Sequence, residues 1–581
     1  MISAADTKNS PATLCGRPPR APLEARLTRG VDRAISETPA LATPDPSQDA
    51  ADIIVVGAGS AGCVLAERLS ADPTRQVLLL EAGGKDDWIW FHIPVGYLFS
   101  IGNPRADWMF ETDPIPGLDG RTLRYPRGKV IGGSSAINAM IYMRGQAADY
   151  EGWRQMGLTG WGWDDVLPLF LDQEDHIAPP NDLHRQGGAW RVEHPRMRWR
   201  VLDAFAEAAE LEGVARVVDF NTGDNAGSGY FQVNQKAGRR WSAAAGFLKP
   251  ALKRPNLRLE TAAHVETVLI EDGRAVGVRW SRGGETFETR AAGGVVLAAG
   301  AVGTPQLLEL SGVGDGARLS ALGLETARHL PGVGEGLQDH LQIRPIYEVS
   351  GVPTMNALYK SWWRRPLMAL EYAAFQKGPM SMAPSQMGAF ARSSPDYATP
   401  NLQFHVQPLS LEKFGDPLHA FPAITISVCN LRPTSRGGIH ARSPDSRVAP
   451  SIRPNYLETA EDQRVAVDSL KLVRRIAAQT PLQRYGARER APSVAARTDD
   501  EILASARQLG TTIFHPAGTA KMGLASDPMA VVDARLRVHG LDGLWVADAS
   551  VMPTITSGNT NSPTMMIAEK AARMIAEDLC P

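Results

Sequence analysis

The chain has 581 residues, more than one hydrophobic core usually contains, so two structural domains are expected. Hydrophobic residues make up 43% and charged residues 21% of the chain, a composition typical of globular proteins and unlike that of disordered ones. The 61 basic and 63 acidic residues nearly cancel and form no long block of one sign, which argues against a nucleic-acid partner.

Residues 1–50 are predicted to be a disordered tail. They are rich in alanine, proline, arginine and threonine and contain no apolar run like the core of a secretory signal. An organellar transit segment and an over-long start are the alternatives, and Asp6, Glu24, Asp32 and Glu37 argue against the first. No apolar run in the chain reaches the roughly eighteen residues that span a bilayer.

The four cysteines, Cys15, Cys63, Cys429 and Cys580, lie far apart and form neither a CxxC pair nor a metal-type spacing. This usage favours a reduced, cytoplasmic setting and predicts no metal site. Peripheral association with the inner membrane is kept as an alternative, although the sequence indicates no amphipathic anchor.

The first ordered segment has the pattern of a nucleotide-binding βαβ unit. Residues 53–56 predict a buried strand, residues 57–62 (GAGSAG) a turn, residues 63–71 a helix and residues 76–81 a second buried strand. The same order of strand, glycine turn and helix is what a dinucleotide-binding domain requires.

The glycine turn is suited to a pyrophosphate. Gly57 permits the tight turn, Gly59 lets the backbone approach the phosphates, and Gly62 allows the helix to pack closely on the strand. The N-terminus of the helix then faces the phosphates. Glu81 ends the second strand, where a carboxylate can accept both hydroxyls of the adenosine ribose.

A second nucleotide-type element lies well downstream. Residues 265–271 and 274–280 predict a hairpin around an Asp272-Gly273 turn, and residues 294–300 predict a buried strand that ends in glycine. A helix is expected to begin near Thr304-Pro305. NAD enzymes usually carry one strand-to-glycine element, whereas flavoproteins commonly carry a second one, so this layout favours FAD.

The region from residue 351 to residue 507 has no nucleotide-type glycine pattern. Its aromatic and methionine-rich stretches, residues 359–375 and 380–390, are interpreted either as the lining of an apolar pocket or as ordinary core. Near the C-terminus, residues 544–548 predict a strand and residues 564–579 a helix that docks on the first domain.

These elements predict an α/β (α+β) protein of two domains. A Rossmann-like FAD-binding domain is expected from residues 51–155, 230–345 and 510–581 together. The segments 156–229 and 346–509 are expected to form a separate substrate-binding domain with an antiparallel sheet.

Two longer motifs resemble the signatures of the glucose–methanol–choline (GMC) oxidoreductase family. They are residues 128–138 (GKVIGGSSAIN) and residues 300–312 (GAVGTPQLLELSG), and the similarity extends from Asp52 to Leu579. Residues 93–143 look most like the bacterial alcohol dehydrogenases and choline dehydrogenases of this family. The resemblance implies FAD, a substrate domain over the flavin, and oxidation of alcohols to aldehydes.

The resemblance also implies which residues bind the flavin nucleotide. Some relatives attach the flavin through a histidine just before the asparagine of the first motif, but Ile137 stands there, so non-covalent FAD is predicted. The implied cofactor-binding residues are Gly57, Gly59, Ser60, Ala61, Gly62, Glu81, Ala82, Trp108, Arg127, Val130, Gly133, Ser134, Asn138, Ala139, Met140, Val265, Ala299, Gly300, Asp548, Ala549, Asn559 and Thr560.

For catalysis the resemblance implies a histidine and, some forty residues later, a histidine or asparagine, here assigned to His515 and Asn561. Imidazole titrates near neutrality, so His515 can accept the hydroxyl proton while the hydride leaves for flavin N5. Asn561 is expected to hold the same oxygen. His340 is the rival for the base, and Asn559, expected to support the flavin, is the rival for Asn561.

The predicted function is the FAD-dependent oxidation of a primary alcohol to an aldehyde. A choline dehydrogenase that forms betaine aldehyde is one alternative, although no recognition site for a trimethylammonium group is evident. An FAD-containing lyase of the same fold and a flavin-binding protein without activity are the others. Oxygen, a quinone or another compound is left open as the electron acceptor, and so is the oligomeric state.

Overall fold

The computed structural model describes residues 51–412 and 416–579, and the predicted tail, residues 1–50, lies outside them. Two large sheets organise the described residues, a mostly parallel first sheet and an antiparallel second sheet. Their strands are, in chain order, β1 (Ala51–Val56), β2 (Val77–Glu81), β3 (Gly227–Tyr230), β4 (Leu257–Thr261), β5 (His264–Glu271), β6 (Arg274–Arg282), β7 (Glu285–Leu297), β8 (Leu341–Ile343), β9 (Ile346–Glu348), β10 (Met387–Ala391), β11 (Leu402–Gln407), β12 (Ala423–Asn430), β13 (Arg488–Glu489), β14 (Gly510–Thr512) and β15 (Leu544–Val546).

Helices cover the faces of both sheets. In the first sheet's core, the helix Ser60–Leu69 packs against the helix Asn561–Asp578, and in the second sheet's core, the helices Arg200–Leu211 and Ala460–Ala478 cover one face. The helices of six or more residues are α1 (Ser60–Leu69), α2 (Ala147–Gln155), α3 (Trp163–Gln173), α4 (Arg200–Leu211), α5 (Gly300–Leu310), α6 (Gly316–Ala321), α7 (Met355–Lys360), α8 (Arg364–Phe375), α9 (Ala460–Ala478), α10 (Asp499–Leu509) and α11 (Asn561–Asp578).

The first sheet has seven strands in the order β4-β2-β1-β7-β6-β5, with β15 on the other side of β7. The pairs from β4 to β7 and the β7–β15 pair are parallel, whereas β6 pairs antiparallel with both β7 and β5. In β1 the apolar run of Ile53, Ile54 and Val55 is fully buried, as expected of a parallel strand with both faces covered. The predicted βαβ unit is therefore confirmed as β1, α1 and β2.

The second sheet has eight strands, all paired antiparallel: β13-β9-β12-β11-β10-β3, with β8 joined to β12 and to β14. Because side chains alternate along a strand, Leu402, Phe404 and Val406 of β11 enter the core beneath α4 and α9. The other β11 side chains face the opposite way. The two-sheet α/β architecture is confirmed, while the exact domain boundaries stay a prediction.

Two local predictions around β7 have different outcomes. The hairpin between β5 and β6 is confirmed, since Asp272 and Gly273 both have positive φ, 47° and 77°, as a tight two-residue turn requires. The helix expected from Thr304-Pro305 instead begins at Gly300. Pro305 removes a helical donor to the Ala301 carbonyl, and the Thr519 hydroxyl replaces it at 2.8 Å, so the helix continues through the proline.

The aromatic stretch at residues 359–375 is neither pocket nor core, the two interpretations that its composition favoured. It forms the end of α7, the following turn and α8, and Tyr372 is the buried residue of α8. The second stretch, residues 380–390, includes the buried strand β10. Among the described residues, no helix is both long enough and apolar enough to cross a membrane.

Candidate active site

A cavity of about 640 Å³ lies where the carboxyl ends of the first sheet's strands meet the face of the second sheet that α4 and α9 do not cover. Its wall includes the residues that follow β1, β2, β7 and β15, together with side chains of β8 and β11. Crevices at the carboxyl ends of parallel strands are where α/β proteins bind their ligands. This cavity is therefore the candidate active site.

Almost all of the residues predicted to act on cofactor or substrate lie in the wall of this cavity. Gly62 and Val130 are the exceptions. The cavity-lining residues of the predicted set are Gly57, Gly59, Ser60, Ala61, Glu81, Ala82, Trp108, Arg127, Gly133, Ser134, Asn138, Ala139, Met140, Val265, Ala299, Gly300, His515, Asp548, Ala549, Asn559, Thr560 and Asn561.

Val130 lies behind the cavity wall, and its role as a cofactor-binding residue stays a prediction. Its side chain is buried in a small apolar cluster with Phe91 and Ala106, and its backbone forms a bridge with Gly84. Gly62 also lies behind the wall, where a Cβ would come within 1.7 Å of the Gly57 carbonyl oxygen. Its absence of a side chain allows α1 to pack on the turn, which is the reason for which this glycine was predicted.

At one end of the cavity, backbone rather than side chains forms the wall. Gly57 has φ +98°, and a Cβ there would lie 2.6 Å from the Ala298 oxygen. Gly133 has φ +50°, and its Cβ would lie 2.6 Å from Gly59 Cα. Two chain segments therefore approach each other closely enough that a methyl group would displace one of them. The resulting cradle beside the N-terminus of α1 fits the pyrophosphate of a dinucleotide.

Two carboxylates fix the loops of this glycine end. Glu81 accepts hydrogen bonds from the backbone N–H groups of Ala58 (2.8 Å) and Gly83 (2.7 Å), and burial raises its pKa to about 7. Asp548 accepts from the Gly300 N–H at 2.8 Å and from the Thr304 hydroxyl at 2.6 Å. Each carboxylate oxygen can accept a further bond, which leaves Glu81 able to bind a ribose hydroxyl.

At the opposite end, a chain of side-chain hydrogen bonds contains His515. The Leu431 carbonyl oxygen lies 3.2 Å from His340 Nε2, and His340 Nδ1 lies 3.0 Å from His515 Nδ1. His515 Nε2 is 3.1 Å from the Nδ2 atom of Asn559. The Gln403 amide in turn donates to Asn559 Oδ1 at 3.1 Å.

This order of contacts fixes the tautomer of both histidines. A carbonyl oxygen only accepts, so His340 carries its proton on Nε2 and presents a lone pair at Nδ1. His515 must then donate from Nδ1, which leaves its own lone pair on Nε2. Gln403 orients the Asn559 amide so that its N–H groups face that lone pair. His515 therefore presents a basic nitrogen at the cavity wall.

Burial keeps these histidines neutral. It lowers the pKa of His515 well below its ordinary value, and the neighbouring His340, His405 and Arg127 lower it further. Burial likewise lowers the pKa of His340 to about 4. His340 is fully buried behind His515, so the structure brings His515, rather than its rival, to the cavity.

The backbone of His515 is held by buried groups on its other side. Asp339 accepts from the His515 N–H at 2.8 Å and from the hydroxyls of Tyr125 and Thr512. The preceding residue, Phe514, has φ +71°, and its carbonyl oxygen accepts from Arg127 at 2.6 Å. These contacts hold a rarely populated backbone conformation that aims the imidazole into the cavity.

The expected partnership of His515 with Asn561 needs correction. Asn561 begins α11, where its Oδ1 accepts from the Ser60 hydroxyl at 2.6 Å and its amide contacts the Met565 sulfur. It therefore lies against the first turn of α1, at the glycine end of the cavity. Asn559, two residues earlier, contacts His515 instead.

Sequence reasoning assigned no role to the cavity face of β11. Gln403 and His405 alternate with core residues along this strand, and Gln407 continues the pattern, with its amide donating to Ser385 at 3.0 Å. His405, Gln407 and Ser385 all line the cavity. The alternation of polar and apolar residues at positions 402–407 was the available signal, because it is typical of a strand between a core and a polar cavity.

Comparisons with known proteins show which family the chain resembles. Two family models, both described as GMC oxidoreductase, match residues 51–342 and 433–568. The chain is 41% identical over 528 residues to an alcohol dehydrogenase [acceptor] from Pseudomonas putida, covering 90% of this chain and 95% of that protein. It is 39% identical over 562 residues to the mitochondrial choline dehydrogenase of Homo sapiens, covering 95% of this chain and 94% of that one.

A solved structure has the same fold. The FAD-dependent oxidoreductase from Chaetomium thermophilum superimposes with a TM-score of 0.83 at 25% identity, covering 91% of this chain and 99% of that one. The match therefore covers most of this chain and nearly all of that protein.

Proposed function

The chain belongs to the GMC oxidoreductase family, and we propose that it oxidises a primary alcohol to the aldehyde with His515 as the base. It is an FAD-dependent enzyme that acts on the CH–OH group of its donor. The observation that carries the proposal is the hydrogen-bond chain from Leu431 through His340, which leaves the lone pair of His515 Nε2 at the cavity wall.

The proton transfer follows from this arrangement. The alcohol O–H takes the place of the Asn559 N–H at His515 Nε2, and the Asn559 amide then donates to the alcohol oxygen. His515 accepts the hydroxyl proton, and the resulting imidazolium is stabilised because its Nδ1–H still donates to His340. Bound FAD supplies the acceptor for the hydride that leaves the carbon bearing the hydroxyl group.

The cradle at Gly57, Gly59 and Gly133 would hold the pyrophosphate, and Glu81 the adenosine ribose. Asn138 and Met140 would lie beside the flavin ring. We propose that the flavin is not covalently attached, because the cavity-lining Ile137 has no group that could form the bond. Asn561 would support the nucleotide through Ser60 rather than the reacting oxygen.

Neutral alcohols are the favoured substrates. The hydroxyl of the cavity-lining Tyr97 has no hydrogen-bond partner among the described residues, and neither does Oε1 of Gln407. Both are therefore available to a polar group of the substrate. The positive charges of the buried Arg240 and Arg344 reach the Tyr97 hydroxyl, which disfavours a cation there.

Choline is the second candidate substrate, supported by the similarity to a choline dehydrogenase and by the aromatic ring of Tyr97 in the wall. Among the described lining residues, however, the carboxylates are those of Glu81 and Asp548, and both accept backbone hydrogen bonds at the glycine end. A quaternary ammonium group near His515 would therefore face no carboxylate in the described cavity wall.

Anaerobic mixing with a panel of alcohols tests the proposal. Neutral alcohols of graded length and choline are each added to the FAD-loaded enzyme, and the loss of oxidised-flavin absorbance is followed. Bleaching by neutral alcohols and slower bleaching by choline are expected. Flavin that stays oxidised with every alcohol would instead favour a lyase, and faster bleaching by choline would favour a choline dehydrogenase.

The electron acceptor and the cellular location complete the proposal. The substrate is an alcohol and the electrons pass to an acceptor; we propose that the acceptor is a separate compound, with a quinone as the first candidate, because the Pseudomonas relative is named alcohol dehydrogenase [acceptor]. A cytoplasmic location is supported by Cys63 and Cys429, which are both buried free thiols. Reoxidation of the bleached enzyme by oxygen, by a quinone and by a dye separates the acceptors.

A further inference from the structure

Helix α8 is unusual because it lies on the surface with large apolar side chains exposed. Leu367 is 54% and Leu370 66% exposed, and Phe375 at its end is 65% exposed. Trp362 and Trp363, immediately before it, are 79% and 51% exposed. Helices of globular proteins normally turn such residues toward the core, so an exposed group of this size indicates an interaction surface.

The helix geometry shows that this exposure is organised. At 3.6 residues per turn, Trp363, Leu367, Leu370 and Ala374 fall within a strip about 60° wide. Tyr372, the buried residue of α8, lies about 180° from Trp363 on the same wheel. The helix is therefore anchored by its back face, and its continuous apolar strip points away from the protein.

The segment that carries this apolar strip is rich in positive charge. Lys360, Arg364, Arg365 and Lys377 are all exposed, whereas Glu371 is the acidic residue of the segment. The guanidinium of Arg364 lies over the Trp363 ring at 4.9 Å. Tryptophan and leucine on one face with arginine and lysine beside them are typical of helices that lie in the interface of a bilayer.

We propose that residues 359–377, the docking segment, bind the protein to the surface of a membrane that contains anionic phospholipids. The apolar strip would enter the interface, and Arg364 and Lys377 beside it would contact the headgroups. A second copy of this chain is a poorer occupant, because a symmetric contact would bring the same basic residues of both copies together.

The position of the docking segment relates it to the active site. Tyr372 donates a hydrogen bond to the Gly238 carbonyl at 3.1 Å and packs in one apolar cluster with Tyr97 and Ile101. Tyr97 and Ile101 both line the cavity. A docked molecule would thus hold one wall of its cavity behind α8, on the side that faces the lipid, where a lipid-soluble electron acceptor is concentrated.

Vesicle flotation with the full-length, FAD-loaded enzyme tests this proposal. Vesicles of phosphatidylcholine mixed with phosphatidylglycerol are compared with vesicles of phosphatidylcholine alone. The enzyme is expected to float with the anionic vesicles and to bind at least tenfold more weakly to the neutral ones. High salt should weaken binding to the anionic vesicles, because the headgroup attraction is screened.

Two pairs of substitutions separate the apolar and the electrostatic contributions. Leu367→Glu with Leu370→Glu should reduce vesicle binding at least tenfold, because both carboxylates would enter the interface. Arg364→Glu with Lys377→Glu should abolish the preference for anionic vesicles. Val218→Glu is the matched control, since Val218 is 87% exposed on another segment and should bind like the unmodified enzyme. Turnover with a soluble dye should be the same in all variants.

Absence of flotation by the unmodified enzyme would overturn the proposal, and so would an equal loss of binding in Val218→Glu. Sedimentation velocity without lipid tests whether the strip is instead an interface between copies of this chain. If the unmodified enzyme self-associates and Leu367→Glu with Leu370→Glu makes it monomeric, the strip is a protein interface and the proposal is wrong. Dye-linked activity, measured separately, reports on the alcohol oxidation itself.

Discussion

The two ends of the cavity are built from different parts of the chain. At the glycine end, backbone atoms of Gly57, Gly59 and Gly133 form the wall, and the spacing between two segments decides its shape. At the histidine end, His340, His515 and Asn559 form a line of side-chain hydrogen bonds. The first end leaves no room for a side chain at Gly57 and Gly133, whereas the second depends on which atom of each side chain carries a proton.

This difference predicts which property each kind of substitution should change. Added volume at the glycine end should displace the backbone and weaken cofactor binding, with little effect on proton transfer. Loss of a single nitrogen at the histidine end should slow the proton transfer and leave the cofactor bound. Each prediction below tests this separation. The separation fails if a change at one end produces the effect expected of a change at the other end.

The largest effect is expected for His515→Ala. It removes the proposed base, so the rate of anaerobic flavin reduction by alcohol should fall about 10²–10⁴-fold. FAD content, measured from absorbance, should stay at the unmodified value because His515 lies away from the glycine end. His329→Ala, a substitution of an exposed histidine, serves as the control and should reduce the flavin normally. An undiminished rate in His515→Ala would remove this residue from its role.

A second large effect is expected for Gly133→Ala. The new Cβ would lie 2.6 Å from Gly59 Cα, and Gly133 also has φ +50°, so the two segments must separate. The affinity for FAD should fall at least tenfold, which fluorescence titration of the apoprotein measures. Gly152→Ala is the control, because its Cβ would have no neighbour within 4 Å. Full FAD retention with slow flavin reduction would contradict the separation of the two ends.

An intermediate effect distinguishes the two asparagines. Asn559→Ala removes the amide beside His515 Nε2 and should lower the flavin reduction rate about tenfold or more, with FAD retained. Asn561→Ala removes the acceptor of the Ser60 hydroxyl and should act mainly on FAD affinity. Stopped-flow reduction and FAD titration are measured for both variants. The opposite distribution of effects would restore Asn561 as the partner of His515.

The sequence predicts features that are local. The unit from β1 to β2 comprises one short segment in which strand, glycine turn and helix follow each other, so pattern and structure agree. The predicted start of α5 is wrong because the hydroxyl of Thr519, far along the chain, replaces the backbone hydrogen bond that Pro305 cannot donate. The sequence of residues 300–310 by itself does not indicate this contact with Thr519.

The same reason explains the errors at the histidine end. Asn559 and Asn561 stand in one short motif, and which of them faces His515 depends on α11 beginning at Asn561. His340 directly precedes β8 and Gln403 lies in β11, so only the folded sheet brings them to His515 and Asn559. The apolar pattern of α8 is compatible with core and with surface, and packing of Tyr372 alone decides which face turns inward.

The smallest effect concerns the pH dependence of flavin reduction, and it tests the electrostatics of the histidine end. His515 must be neutral to accept a proton, and burial lowers its pKa well below the ordinary value of about 6.5. The neutral form therefore persists as the pH falls, and the reduction rate should stay nearly constant through pH about 6.5. Stopped-flow reduction across a pH series checks this, with circular dichroism at each pH to confirm that the fold is intact. A rate that falls with a midpoint near the ordinary histidine value would mean that His515 is solvated during proton transfer, and the hydrogen-bond chain through His340 would then not determine its protonation.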